Sequence, residues 1–399
     1  MRYYFAPMEG LTDSVYRRLH HKYFPGVDRY YMPFFSPTVH RQLTQRESRE
    51  LPEADSVSFA AVPQVLTKVP EDFLWAAEVI RDRGYGEVNL NLGCPSGTVT
   101  AKGKGAGMLA DPEALDRFLD TVFSKCPIAI SVKTRLGMHT PEEFPVLLDI
   151  FNRYPIRELT VHPRVRQEFY RSPIHFDWFD YAVENSRNRL CYNGNLCTPA
   201  QIREFEKKYP QINSAMIGRG LIGDPGMLTP GGTTAAALEA FFDELLEVYT
   251  RDFGGARNAM FRLKENWFYL LRRFEGSEKL GKQLRKTTDV NVYKSITSEI
   301  FHTLPLAKEL RRIGDFPNST NRHPTFCGMP VLFLSAFTAE SGPLPLRTEY
   351  PDSECSDPGG CSKCRPPSST GMQCLFPPSH RRHRKHSCPA ALPTPAPLR

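Results

Sequence analysis

The sequence predicts an α/β protein: a (β/α)8 TIM barrel, followed by a smaller all-helical domain and a disordered C-terminal tail. Three observations predict it. Eight short β-rich runs alternate with longer amphipathic runs over about the first 225 residues, the chain form of a parallel barrel. Helical periods without strands follow. Beyond residue 315 no period is sustained, and six of the ten cysteines and fifteen of the 35 prolines crowd into the last 84 residues. The expected boundaries are 1–230, 231–315 and 316–399.

The strands come in the order "RYYFAPM", "DRYYMPFF", "VSFAAVPQVL", "EVNLNLGCP", "IAISVKTRL", "ELTVHPR", "LCYNGN" and "SAMIGRG". Between them lie helical patterns such as "PEALDRFLDTVFSK". It opens with Asp111 as N-cap and Pro112 at the first helical position, and repeats apolar residues at Leu115, Phe118, Leu119, Val122 and Phe123. After residue 230, "AAALEAFFDELLEVYTRDF" stacks Leu238, Phe241, Phe242, Leu245, Leu246 and Tyr249 on one face. "NAMFRLKENWFYLLRRF" follows a break at Gly254 and Gly255.

Composition narrows the function classes. A chain of 399 residues with 40% hydrophobic and 24% charged residues and a formal charge of +7 has the balance of a globular protein, not of a membrane or disordered one. No apolar run reaches membrane-spanning length, and "MRYYFAPMEG" lacks the apolar stretch of a secretory signal. Sparse, unpatterned cysteines in the body, Cys94, Cys126, Cys191 and Cys197, fit a reducing compartment. A cytoplasmic monomer is the expectation.

In a barrel of this kind the site is built where the strands end. Those ends carry Pro7, Met8 and Glu9 after the first strand, Gln64 in the third, Asn91 and Cys94 at the fourth, and Lys133 and Arg135 at the fifth. The sixth gives His162 and Arg164, the seventh Asn193, Gly194 and Asn195, and the eighth Gly218, Arg219 and Gly220. "YNGN" and "IGRG" end neighbouring strands. Their glycines admit a phosphate to the backbone N–H groups and Arg219 adds a charge-assisted contact, so a phosphate ester is the expected ligand. Lys133 can place a cation beside an electron-rich ring, and Gln64 and His162 can hydrogen-bond ring heteroatoms.

The set "APMEGLTD", "NLNLGCP", "KGKGAGMLADP", "SVKTRLG", "TVHPR", "YNGN" and "MIGRG", in this order and spacing, resembles the tRNA-dihydrouridine synthases from residue 2 to about residue 310. "NLNLGCP" alone also looks like the strand end of dihydroorotate and dihydropyrimidine dehydrogenases. A flavin-dependent dehydrogenase of a free pyrimidine is therefore the alternative. The resemblance implies an FMN enzyme that reduces the C5–C6 bond of specific uridines in tRNA, with NADPH as electron donor. It implies that Pro7, Met8, Glu9, Gln64, Lys133, His162, Asn193, Gly194, Asn195, Gly218 and Arg219 hold FMN. Asn91, Arg135 and Arg164 would meet the substrate. Reduced flavin would deliver hydride to C6 and Cys94 a proton to C5. A cysteine of ordinary pKa, about 8.5, is mostly protonated at neutral pH and suits that role. One departure stands out: "VHPR" puts Pro163 where many members of the family have glycine, which removes a backbone donor and stiffens the turn.

The helical part is where charge gathers. Residues 1–230 hold 28 basic and 27 acidic groups, whereas residues 257–294 hold ten against four. Arg272, Arg273, Lys279, Lys282, Arg285 and Lys286 stand close together in sequence beside Trp267, Phe268 and Tyr269. Arg272, Arg273, Arg285 and Lys286 are the expected tRNA-phosphate contacts. In the tail, "CSDPGGCSKC" contains a single C-x-x-C, too little for a zinc site, so no metal is expected.

Overall fold

A computed structural model describes residues 1–307; the tail and its cysteine cluster lie outside the described residues. Nine short parallel strands close around a lumen: β1 (Arg2–Phe5), β2 (Arg29–Tyr31), β3 (Ala61–Val62), β4 (Gln64–Val65), β5 (Glu87–Leu92), β6 (Ala129–Arg135), β7 (Leu159–His162), β8 (Leu190–Tyr192) and β9 (Ser214–Ile217). Their order is β3-β2-β1-β9-β8-β7-β6-β5-β4. Eight expected strands become nine because Pro63, which has no N–H to give a ladder, divides the third run into β3 and β4. The two halves bring the ends of the sheet order back together, and all the pairings are parallel.

Alternation along the strands separates two interiors. Val88, Leu90 and Leu92 of β5 join the large apolar layer between strands and helices, while Asn89 and Asn91 face the lumen. The lumen itself is divided. Tyr4, Ala6, Tyr31, Val62, Cys191 and Met216 form a small apolar cluster on the β1, β2, β3, β8 and β9 side. On the β4 to β7 side the lumen is polar. Charges plug its foot: Glu87 accepts from Arg29 at 3.1 Å and pairs with Arg157 at 2.9 Å, and Glu158 accepts from Ser214 Oγ at 2.8 Å.

The helices form where their caps and apolar periods lie. Helix Pro112–Lys125 starts on Asp111, whose carboxylate accepts from Ala114 N at 3.0 Å, and buries Leu115, Phe118, Leu119 and Val122. Helices Ala235–Asp252 and Ala256–Leu270 pack beside helix Ser14–Tyr23, with Phe241 against Tyr16 and Phe24. Asp13 fastens this seam. It caps its own helix through Tyr16 N at 2.9 Å, accepts from Tyr249 Oη at 2.8 Å, and pairs with Arg262 at 2.7 Å. Arg262 also donates to the Gly10 carbonyl, so a helix beyond the barrel holds the loop after β1. Among the described residues no helix is long and apolar enough to cross a membrane.

Candidate active site

The carboxyl end of β5 builds the turn that carries Cys94. Gln64 Nε2 donates to Asn89 Oδ1 at 2.7 Å, Asn89 donates to Ser131 Oγ at 2.9 Å, and Asn91 Nδ2 donates to Gln64 Oε1 at 2.8 Å. This chain of buried amides orients the Asn91 oxygen, which accepts from the N–H groups of Gly93 and Cys94 at 3.0 and 2.9 Å. The carbonyls are held as well. Arg135 Nε donates to Gly93 O at 2.9 Å, Ala106 N to Cys94 O at 3.1 Å, and Arg166 Nε to Pro95 O at 3.1 Å. Cys94 is thus a buried cysteine on a turn whose N–H groups are fixed by Asn91 of its own strand and whose carbonyls from residue 93 to residue 95 are fixed by other strands and loops. The asparagines of the strand build that turn, which explains why polar residues end an otherwise apolar run.

Beside this turn the mouth is crowded with cations. Lys133 of β6 is half-buried and makes no hydrogen bond or ion pair among the described residues; burial first, then Arg135, lowers its ammonium from the usual 10.5 to about 7. Arg135 spends its other contacts on the carbonyls of Val165 and Phe169, at 3.0 and 2.9 Å. Arg164 donates to Ser172 O at 2.7 Å and lies 3.0 Å from His162 Nε2; burial and then Arg219 lower it to about 10. Burial, reinforced by all four neighbouring cations, holds His162 well below the usual imidazole range, so it is neutral and its Nε2 accepts from Arg164. Arg219 donates to Asn195 Oδ1 at 2.7 Å. Among the described residues none of Lys133, Arg135, Arg164 and Arg219 forms an ion pair, an arrangement that an anionic ligand completes.

Glycines shape the same end. A Cβ at Gly194 would collide with the Tyr192 phenol and one at Gly220 with the Leu196 carbonyl, while one at Gly218 would press on Met8 Sδ at 3.0 Å. Asn193 donates to Met216 O at 2.8 Å and thereby ties the ends of β8 and β9. Pro7, Met8 and Glu9 lie on the loop after β1, with Glu9 paired to Arg46; a cavity of about 220 Å³ separates Glu9 and Gln64 from the segment after β2.

The expected site residues on the barrel therefore converge at one mouth; those on the helices do not. Arg272 is 5% exposed, and Arg273 pairs with Asp224 at 3.3 Å, because both lie in a tight turn, Leu271–Arg273, folded against the barrel. Trp267 and Tyr269 are core residues, and Trp267 donates to Tyr293 Oη at 2.8 Å. Arg285 and Lys286 are exposed on helix Glu278–Lys286, opposite its buried Leu280 and Leu284. Three residues outside the sequence expectation belong to the mouth. Tyr170 stacks on His162, ring centroids 5.7 Å apart, with Arg219 4.8 Å over its own ring. Arg166 ties Pro95 O and, at 3.1 Å, Thr100 Oγ1. Gly105, at φ +58, leaves room for Cys94. They stand in turns and short 3-10 segments between the strands and main helices, where no period marks them. Among the described residues no cluster of His, Cys, Asp and Glu is placed to hold a metal ion.

The profile of the family described as dihydrouridine synthase matches residues 4–288. The chain belongs to that family. Curated relatives agree: a tRNA-dihydrouridine(16) synthase of Ralstonia nicotianae is 31% identical over 55% of this chain and 69% of its own length. A tRNA-dihydrouridine synthase B of Pasteurella multocida is 26% identical over 56% of this chain and 67% of its own. Membership makes the protein an oxidoreductase, and places Cys94 and the cation-rich mouth in a dihydrouridine synthase barrel.

Proposed function

We propose that the protein reduces uridine to 5,6-dihydrouridine in cytoplasmic tRNA with FMN as cofactor and NADPH as electron donor, Cys94 supplying the proton. The observation that carries this reading is the juxtaposition of four cations that form no ion pair among the described residues with a cysteine held on a fixed turn beside them. The residues fit FMN. Arg219, Asn195 and the glycine-lined ends of β8 and β9 suit its phosphate, and Lys133, which makes no hydrogen bond or ion pair among the described residues and is displaced to about 7, suits the electron-rich edge of its ring. Gln64 and neutral His162 offer hydrogen bonds to ring heteroatoms.

When bound, the flavin supplies hydride to C6 of the uracil. The chain supplies the rest. Asn91 and the two arginines at the carbonyls of Gly93 and Pro95 keep the Cys94 turn in place, and the thiol holds the proton needed at C5 until charge develops there. Exposed Arg285 and Lys286 suit phosphate contacts to the folded RNA. The test is Cys94→Ala. Flavin binding and its reduction by NADPH persist, while single-turnover dihydrouridine formation in unmodified tRNA falls about a hundredfold or more, the scale of general acid catalysis. An unchanged rate removes Cys94 from the reaction, and efficient turnover of free uracil or orotate removes tRNA as the substrate.

A further inference from the structure

Beside Cys94 the mouth has a second basic feature. Lys68 follows β4, and Lys102 and Lys104 stand on the segment that runs on from Cys94. Lys104 is anchored: Nζ donates to Ser36 Oγ at 2.9 Å, and that hydroxyl donates to Leu66 O at 2.8 Å. Lys68 is brought against the same segment, since a Cβ built on Gly103 would lie 3.4 Å from its Nζ. Burial lowers Lys104, against the pull of Asp72, and the like charges of Lys102 and Lys68 add to the lowering; Asp72 itself lies 3.7 Å from Arg41 Nε. Lys68 and Lys102 are exposed and make no side-chain hydrogen bond or ion pair among the described residues.

Three ammonium groups converging from two loops repel one another; Ser36 and the partial pull of Asp72 act on Lys104, and among the described residues Lys68 and Lys102 form no ion pair. The arrangement is complementary to closely spaced anions outside the fold. The anchoring of Lys104 also means that part of this complementarity exists before any ligand arrives.

We infer that Lys68, Lys102 and Lys104 form a docking surface for the RNA backbone phosphates next to the target uridine. The inference rests on the reading of the protein as a tRNA-modifying enzyme and deepens it. The position selects RNA backbone over other phosphates. Lys104 is followed by Gly105 and Ala106, which touch Cys94 directly, so a strand seated on these lysines enters the mouth from the cysteine side. The FMN-phosphate end, at β8 and β9, lies across the barrel.

The experiment compares the full-length holoenzyme with Lys68→Gln/Lys102→Gln and with the charge-keeping Lys68→Arg/Lys102→Arg. It measures binding of unmodified tRNA across a salt series, and the NADPH dependence of flavin reduction without RNA. Loss of two phosphate contacts weakens tRNA binding about tenfold at low salt and flattens the log–log salt slope by about 1.4 to 1.8. The arginine variant keeps the slope, and the NADPH dependence does not move. Unchanged tRNA affinity and slope in the glutamine variant overturn the inference, as does a raised KM for NADPH with tRNA binding intact, which assigns the cluster to the nucleotide. Because the readout is binding, these failures are distinct from failure of the functional reading, which shows as unaltered enzyme that forms no dihydrouridine in tRNA.

Discussion

Replacing Gly105 by alanine tests whether the Cys94 turn must be as rigid as its contacts indicate. At φ +58 an alanine occupies the left-handed region, at roughly 1 to 2 kcal/mol. Its Cβ would lie 3.0 Å from both Cβ and the carbonyl oxygen of Cys94 and 3.1 Å from Val99 Cγ1. Overpacking of this kind costs about 1 to 3 kcal/mol more. The carbonyls on either side of Cys94 are pinned by Arg135 and Arg166, so relief comes from displacement of the cysteine side chain and Val99. A misplacement approaching 1 Å lowers a positioned reaction about a hundredfold. The expected outcome is a loss of about 2 to 5 kcal/mol in denaturant unfolding, and a single-turnover rate of dihydrouridine formation reduced roughly ten- to a hundredfold with full flavin occupancy. Gly231→Ala is the control: φ is +85 and nothing lies within 4 Å of the added carbon, so it bears a backbone cost and leaves the rate alone. A Gly105→Ala protein that loses stability but keeps the wild-type rate refutes the idea that the turn positions the thiol.

Other outcomes follow from the same geometry. Lys133 binds a proton in the unfolded chain up to its ordinary 10.5 but in the folded chain only to about 7. In that window the unfolded state carries more protons, and the stability of flavin-depleted protein rises with pH. Lys133→Met removes this part of the rise, and parallel unfolding free energies for the two proteins from pH 6.5 to 9.5 would contradict the assignment. Arg166→Met lowers kcat for tRNA with little change in KM, and Arg166→Lys, able to reach one of the two acceptors, recovers part of it. An effect confined to KM argues instead for RNA contact. Asp13→Ala leaves Tyr249 without its carboxylate and Arg262 with only the more distant Glu265, 3.9 Å away, and lowers stability by about 3 kcal/mol. Combining it with Arg262→Leu gives less than the sum in a double-mutant cycle.

Much of the barrel is legible because strand period, Pro and Gly punctuation and N-caps are local signals. Asp111 with Pro112 marks a helix start that the structure keeps, and the polar ends of the strands mark the mouth. The division of the third strand at Pro63 follows from proline chemistry, yet the alternating run on either side conceals it. The placement of Arg272, Arg273 and Trp267 is a different matter. Whether a charge in a helical stretch meets solvent or a buried aspartate depends on a turn of three residues and on Asp224, almost fifty positions earlier. Charge counted along the chain holds no information about that partner. Arg166 and Tyr170 escape for a related reason: the role of Arg166 exists only once the loops after β5 and β7 meet, and that of Tyr170 only once the loop after β7 meets Arg219 after β9.

The contacts of Cys94 bear on how such enzymes can be built. The run from residue 89 to residue 97 looks like a self-contained cassette, but the arginines that hold the carbonyls of Gly93 and Pro95 stand 42 and 71 positions away along the chain. Transplanted into another barrel, the nine residues would bring the thiol and the asparagine without the arginines of the next strand and of the loop after β7. The smallest portable unit is therefore three successive strands with their loops. A designer wishing to move this chemistry to a new scaffold would have to carry roughly a third of the barrel to keep one cysteine in position.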